Sequence, residues 1–332
     1  MIQYLIILLD DTSTSYCHYQ NSKKERRLIS LEDLRAGIFF AMKENLMIQY
    51  VLPEYELPPE YKEVMNSIDS HIYVSATCED KNAIEAADVI VFNDWSHLTD
   101  WIFNDLQTYV IRTTKLEYFN NYSTLKDVFE QVSRVNVVFT DVYTFSDADF
   151  EKYKHSLETL CVSITEQYEK GHSIQFNMLT DRMMLNEMIN CGAGDSNITL
   201  APDGKFYVCP AFYYDGDCDG NEVSIDDVCK KGYTIGSLQN GLDVKNPQLY
   251  KLDHAPLCRN CDAYQCKRCI WLNRRTTFEV NTPSHEQCVV AHLERNASRK
   301  LLAAIQKYGE FLPEKEIKEI NYLDPFDVRE KW

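Results

Sequence analysis

The chain has 332 residues, 45% of them apolar, and a formal net charge of −17. The apolar content suits a folded globular protein, and the length suits two domains, or one large domain with an appendage. So acidic a chain is excluded as a sequence-independent binder of nucleic acid or anionic membrane, since both functions rest on lysine and arginine.

The N-terminal stretch MIQYLIILLDDTS is apolar but short, has no basic flank and meets Asp10-Asp11. It reads as a buried strand over Gln3–Leu9, not as a signal peptide. No stretch approaches the length needed to cross a bilayer, so the expected setting is the cytoplasm. Ser30-Leu31-Glu32-Asp33 forms a capping-box signal before the amphipathic run LRAGIFFAMKEN. A strand follows at Ile48–Leu52, stopped by Pro53, and Pro58-Pro59 opens a short helix through Ile68. Further strands are predicted at Ile72–Ala76, Val89–Asn93, Tyr109–Arg112, Val135–Thr140 and Ser173–Leu179. Helices are predicted at His97–Leu106, Thr124–Val132 and Asp147–Glu169.

Alternating strands and helices imply parallel pairing with right-handed crossovers. The fold class is therefore α/β, as an open sheet or a partial (β/α) barrel, and function should gather at the carboxyl ends of the strands. Asp10, Asp11, Asp94 and Asp141 fall at such ends. They have two readings: a site for a cation or basic peptide, or caps for the following helices. Neither GxGxxG nor GxxxxGK[ST] occurs, so no glycine-rich phosphate loop is expected. His71 and His97 stand alone and read as structural.

The twelve cysteines divide unevenly. Cys17, Cys78 and Cys161 are scattered, and the other nine lie between Cys191 and Cys288. In a reducing compartment this density points to metal rather than cross-links. Around Pro202-Asp203-Gly204, the β-branched and aromatic runs Ser196–Leu200 and Phe206–Cys209 predict a hairpin flanked by Cys191 and Cys209. Then comes CRNCDAYQCKRC, which holds Cys258, Cys261, Cys266 and Cys269, and later Cys288. A C-x2-C pair on a tight turn presents two thiolates to one metal centre, and backbone N–H groups there can donate to the sulfurs. Lys267, Arg268, Arg274 and Arg275 lie nearby, and cations are expected to lower thiol pKa values. A four-thiolate zinc site usually has a longer loop between its two C-x2-C pairs. An iron–sulfur centre, which takes ligands from distant segments, fits this spacing better. Zinc stays as the alternative.

The order C-x12-G-x4-C, gap, C-x2-C-x4-C-x2-C, gap, C resembles the seven-cysteine pattern of the SPASM domain, the C-terminal extension of many radical SAM peptide-modifying enzymes. It is one residue short in each of two central spacers. ITLAPDGKFYVC and YTIGSL also look like that family. The resemblance implies two auxiliary [4Fe–4S] clusters with interleaved ligands. Cys191, Cys209 and Cys269 would hold one cluster, with Cys218 or Cys229 as an extra ligand. Cys258, Cys261, Cys266 and Cys288 would hold the other.

The N-terminal half resembles the partial (β/α)6 barrel that precedes SPASM domains. Where radical SAM enzymes carry C-x3-C-x2-C, this chain has LLDDTSTSYCHYQ, with Cys17 alone, and no GGE segment follows the second strand. SAM chemistry by this chain alone is therefore not expected. As a whole the chain resembles the CXXX repeat peptide maturases, on LLDDTSTSYCHY, LRAGIFFAMKENLMIQYVLP and the cysteine region. The implied organisation is a degenerate barrel over 1–184, a SPASM-like iron–sulfur domain over 185–300, and a C-terminal helix and tail over 301–332. The implied function is maturation or presentation of a ribosomally synthesised, cysteine-containing precursor peptide, together with a partner radical SAM enzyme. The alternative from another class is a zinc-stabilised peptide-binding or scaffold protein without redox chemistry.

Overall fold

The computed structural model describes residues 2–214 and 233–313. Cys218, Cys229 and the tail from residue 314 lie outside the described residues. In chain order the strands are β1 (Tyr4–Leu8), β2 (Met47–Val51), β3 (Ser70–Ser75), β4 (Val89–Phe92), β5 (Thr108–Thr113), β6 (Arg134–Phe139), β7 (Gln175–Phe176), β8 (Asn197–Leu200), β9 (Lys205–Tyr207), β10 (Thr234–Ser237) and β11 (Gly241–Leu242). The helices are α1 (Leu31–Glu44), α2 (Pro59–Met65), α3 (Lys81–Ala86), α4 (Lys115–Asn121), α5 (Leu125–Phe129), α6 (Asp147–Glu169), α7 (Pro210–Tyr214), α8 (Ile270–Thr277) and α9 (His285–Ile305). Contacts divide the chain into two units. One is Met1–Val91 with Gly192–Tyr250, and the other is Phe92–Cys191 with Lys251–Trp332.

In the first unit β1 pairs in parallel with β2 on one side and β8 on the other, and β2, β3 and β4 continue the parallel order. The predicted hairpin is present: β8 and β9 pair antiparallel, with Gly204 in the left-handed turn at φ +73°. β10 and β11 extend that antiparallel edge. The capping signal at Ser30 holds, since its side chain accepts from the Asp33 amide and opens α1. Alternation along a strand sends successive side chains to opposite faces, so Ile7 and Leu200 share the face that α1 covers. Gly37 makes the fit, because a Cβ there would stand 2.5 Å from Leu200 Cδ2 and 3.6 Å from Ile7 Cδ1. Gly37→Val overfills this contact and is expected to cost about 1–3 kcal/mol, read as a lower urea midpoint with an unchanged slope.

In the second unit β5, β6 and β7 are parallel. α6 begins at Ser146 through a capping box with Asp149. It buries Phe150, Tyr153, Leu157, Leu160, Ile164 and Tyr168, a three-and-four spacing that forms one apolar stripe. Tyr118, Phe139, Phe145 and Tyr153 pack edge to face beside it, with centroids 5.0–5.9 Å apart.

Three expectations need correction. Residues 97–106 form turns rather than a helix. The Asn104 side chain accepts from the Leu106 amide (3.0 Å), and Tyr109 Oη accepts from the Asn104 amide (2.6 Å). These local bonds compete with a helical ladder. Trp101 and Phe103 pack on Phe92 and Tyr109 at 5.1 and 4.9 Å, a two-residue spacing no helix face provides. Second, the strand expected at Ser173–Leu179 shrinks to β7. Asn177 replaces a ladder position by bonding both the amide and the carbonyl of Val137, each at 2.8 Å, and the chain then turns back on Phe176. Third, α2 stops at Met65, short of Ile68. α3 and α4 are additional helices, signalled in the sequence by their caps, Asp80 and the Thr114–Glu117 capping box.

Candidate metal centre in the cysteine-rich loop

The four aspartates at strand ends are engaged locally. Asp10 Oδ1 accepts from the Thr12 amide at 2.8 Å, and its Oδ2 accepts from Tyr55 Oη at 2.9 Å. Asp11 pairs with Arg27 at 3.0 Å and accepts from the Tyr213 hydroxyl. Asp94 accepts from the Ser96 amide at 2.8 Å. Asp141 accepts from the Lys115 amide at 2.9 Å, at the first turn of α4. Asp94 serves as a turn acceptor and Asp141 as an acceptor at the start of the preceding α4, so neither caps the helix expected to follow it. His71 pairs with Asp88 at 3.2 Å on the surface.

The loop from Cys258 to Cys269 folds in two halves, both in the second unit. Its first half is a chain of tight turns. Cys258 N bonds Ala255 O (3.0 Å), Cys261 N bonds Cys258 O (3.0 Å) and Cys266 N bonds Ala263 O (2.9 Å). Cys258 and Cys261 are buried with Met188, Ala255, Ala263, Tyr264 and Ala291, and Cys266 packs against this cluster. Asp262 anchors the half to α9 through Arg295 at 2.8 Å and Arg299 at 2.6 Å. Gln265 adds a bond to Ala291 O at 2.8 Å.

The second half is anchored through Lys267 and Arg268. Arg268 is 1% exposed with φ +45°, and its guanidinium bonds Asn190 Oδ1 at 2.9 Å and Asn281 Oδ1 at 2.7 Å. Cys191 N bonds Lys267 O at 2.8 Å, which lays the Cys191 strand of backbone beside the end of the loop that carries Cys269. Cys269 is the N-cap of α8, and its Sγ accepts from the Leu272 amide at 3.5 Å. Cys258, Cys261 and Cys266 thus pack in the cluster that reaches Ala291 of α9, where Cys288 lies in the first turn, while Lys267, two residues before Cys269, bonds the Cys191 amide.

The donor chemistry suits a thiophilic centre. None of the ten described cysteines is in a disulfide. Cys261 Sγ accepts from the Ala263 amide at 3.4 Å, and Cys269 Sγ from Leu272, the N–H···S pattern expected of metal-bound thiolates. Among the described residues no three Cys, His, Asp or Glu side chains are grouped around the position of a single ion. A cubane cluster asks for a wider arrangement, because each thiolate binds its own iron. One expectation is reversed at Cys266. Burial, with Cys258 and Glu294 beside it, pushes its thiol up to about 12, outweighing the bonds from the Arg268 amide and Gln287. The nearby cations do not set its state. Only metal binding would ionise this thiol near neutral pH, with release of its proton.

No family model and no curated protein matches the sequence. Solved structures match by shape. Tagged anSMEcpe with bound AdoMet superposes at a TM-score of 0.56 with 11% identity, over 92% of this chain and 100% of that one. anSMEcpe with bound AdoMet and Kp18Cys peptide gives 0.56 and 10%, over 92% and 99%. The fold resembles that of radical SAM/SPASM peptide-modifying enzymes. At such low identity the likeness is one of fold, and no residue role is carried across. Among the described residues, no helix is long and apolar enough to cross a membrane.

Sequence reasoning overlooked three residues around the loop. His292 is 2% exposed, and its Nε2 lies 3.6 Å from Cys261 Sγ. Glu294 is half-buried and accepts from Tyr153 Oη at 2.6 Å. Asp262 is 3% exposed amid arginines. The first had a signal: Cys288 and His292 are four apart, on one helix face.

Proposed function

We propose that this chain takes part in maturing a ribosomally synthesised, cysteine-containing peptide, with residues 185–300 forming a SPASM-like domain that binds two [4Fe–4S] clusters. The observation that carries this reading is the division of the loop. Cys258, Cys261 and Cys266 face α9, which supplies Cys288. Lys267, two residues before Cys269, bonds the Cys191 amide. This supports a reading in which Cys269 joins Cys191 and the ligands of two clusters interleave. In this reading Cys209 joins Cys191 and Cys269, with Cys218 or Cys229 as the further ligand. The clusters would supply electron transfer or an open iron for a substrate thiolate. The protein's own part is to hold the thiolates dry and hydrogen-bonded. The fold likeness to peptide-modifying enzymes supports a peptide as the partner. With Cys17 the one cysteine before α1, the radical step belongs to a partner radical SAM enzyme, and this chain binds and presents the peptide.

Anaerobic purification with iron, sulfide and zinc analysis tests the centre. About eight irons per chain and little zinc are expected for two cubanes. Stoichiometric zinc without sulfide would replace this reading with a zinc-stabilised scaffold. Cys266→Ala and Cys269→Ala should each lose about half of the iron, but from spectroscopically different clusters. Identical residual spectra in the two variants would end the interleaved assignment. SAM cleavage by the purified chain alone would end the division of labour with a partner.

A further inference from the structure

α9 presents one stripe to the cysteine loop. Cys288, His292, Arg295 and Arg299 follow at four-, three- and four-residue steps, so they lie on one face. Arg295 and Arg299 reach Asp262, and His292 reaches the residue before it, with Nε2 3.6 Å from Cys261 Sγ. Both partners are buried, Cys261 at 8% exposure and His292 at 2%, so water does not compete for the contact. The same sulfur also receives the Ala263 amide at 3.4 Å.

We infer that His292 is a positioning residue for the centre that Cys258, Cys261 and Cys266 hold, acting as an N–H donor to the Cys261 sulfur. The inference rests on the proposed metal reading and adds a residue to it. A thiolate bound to iron carries no proton, so the hydrogen bond can only run from Nε2–H to sulfur. This fixes the imidazole tautomer, as a buried metal ligand's partner usually does. Two N–H donors on one sulfur draw electron density from it and favour the reduced, more negative cluster. His292 is therefore assigned to raising the reduction potential of the cluster that Cys261 helps to hold.

The test is an EPR-monitored redox titration of the full chain, purified anaerobically, as wild type, His292→Leu and His292→Gln. Leucine fills similar space without a donor, and glutamine retains an N–H. His292→Leu is expected to lower the midpoint of one cluster and leave the other where it was, with glutamine recovering part of the shift. Equal midpoints in all three proteins would overturn the inference. Should the leucine variant fold poorly, pulsed EPR on reduced wild-type protein with nitrogen-15 histidine decides. A weak histidine coupling supports the hydrogen bond, a strong one makes His292 a ligand and overturns it, and none places the ring away from the cluster and overturns it. Protein free of iron would overturn the metal reading together with this inference. Iron-replete protein with unshifted midpoints would overturn this inference alone.

Discussion

Asp262→Ala is expected to be among the most destabilising single changes in the cysteine-rich loop, at about 3–5 kcal/mol. The carboxylate is 3% exposed and stands among three guanidinium groups: Arg295 at 2.8 Å, Arg299 at 2.6 Å and Arg182 at 3.7 Å. Arg182 and Arg295 are each 3% exposed, and Arg182 Nε also donates to the Asp262 carbonyl at 3.0 Å. Truncation removes the negative charge from a site where two cations have little water to turn to. The penalty is the repulsion and lost solvation of those cations rather than the worth of one contact. Arg299 is a built-in comparison. Its side chain is 43% exposed, so Arg299→Ala should cost no more than about 1 kcal/mol. Denaturant unfolding of the two variants checks the contrast, and similar losses from both would show that burial does not govern the cluster. Asp262 sits between Cys261 and Cys266, so Asp262→Ala should also reduce metal content at the centre on α9 while sparing the Cys269 side.

What could be read ahead of the structure followed from local physics. The ends of α6 were legible because Ser146 and Asp149 cap it and its apolar stripe keeps the three-and-four step for its whole length. The β8–β9 hairpin was legible from Pro202-Asp203-Gly204, where the turn needs the positive φ that Gly204 adopts. Residues 97–106 misled because Ile102 and Leu106 stand four apart as a helix would place them, yet both are more than 90% exposed, at 92% and 91%. The burial there belongs to Trp101 and Phe103, a pairing set by the strand they cover. In the loop, cysteine spacing announced a centre. It could not announce the charge environment, since Lys267, Arg268 and Glu294 act at distances only the fold decides. Arg268 shows this well: next to Cys269 in sequence, it spends its guanidinium on Asn190 and Asn281.

Glu294→Gln is expected to stabilise the protein at neutral and alkaline pH and to do little in mild acid. Burial pushes the Glu294 carboxyl up from 4.5 to about 7, against the bonds from Tyr153 and Gln265 that hold it down. Between those values the folded state keeps a proton that the unfolded chain has released, so stability is highest in acid and falls as pH rises toward 7. With 1.36 kcal/mol per unit, the ionised carboxylate costs up to about 3 kcal/mol at and above neutrality. Glutamine carries no charge, so the variant should gain on wild type from nothing near pH ~4.5 to that limit by pH ~8. Urea titrations across this range measure the gap, and a gap that does not change with pH would show that Glu294 is ionised in the fold at no cost. The Tyr153 bond at 2.6 Å survives the change, because it runs to an oxygen that glutamine retains. The other carboxylate oxygen accepts from Gln265 Nε2 at 3.3 Å, and glutamine gives up that long bond because it places an NH2 there. The neighbouring Cys266 thiol is pushed the same way, but to about 12. In metal-free protein it therefore stays protonated throughout the titration, and a pH-dependent gap measured there belongs to the carboxyl.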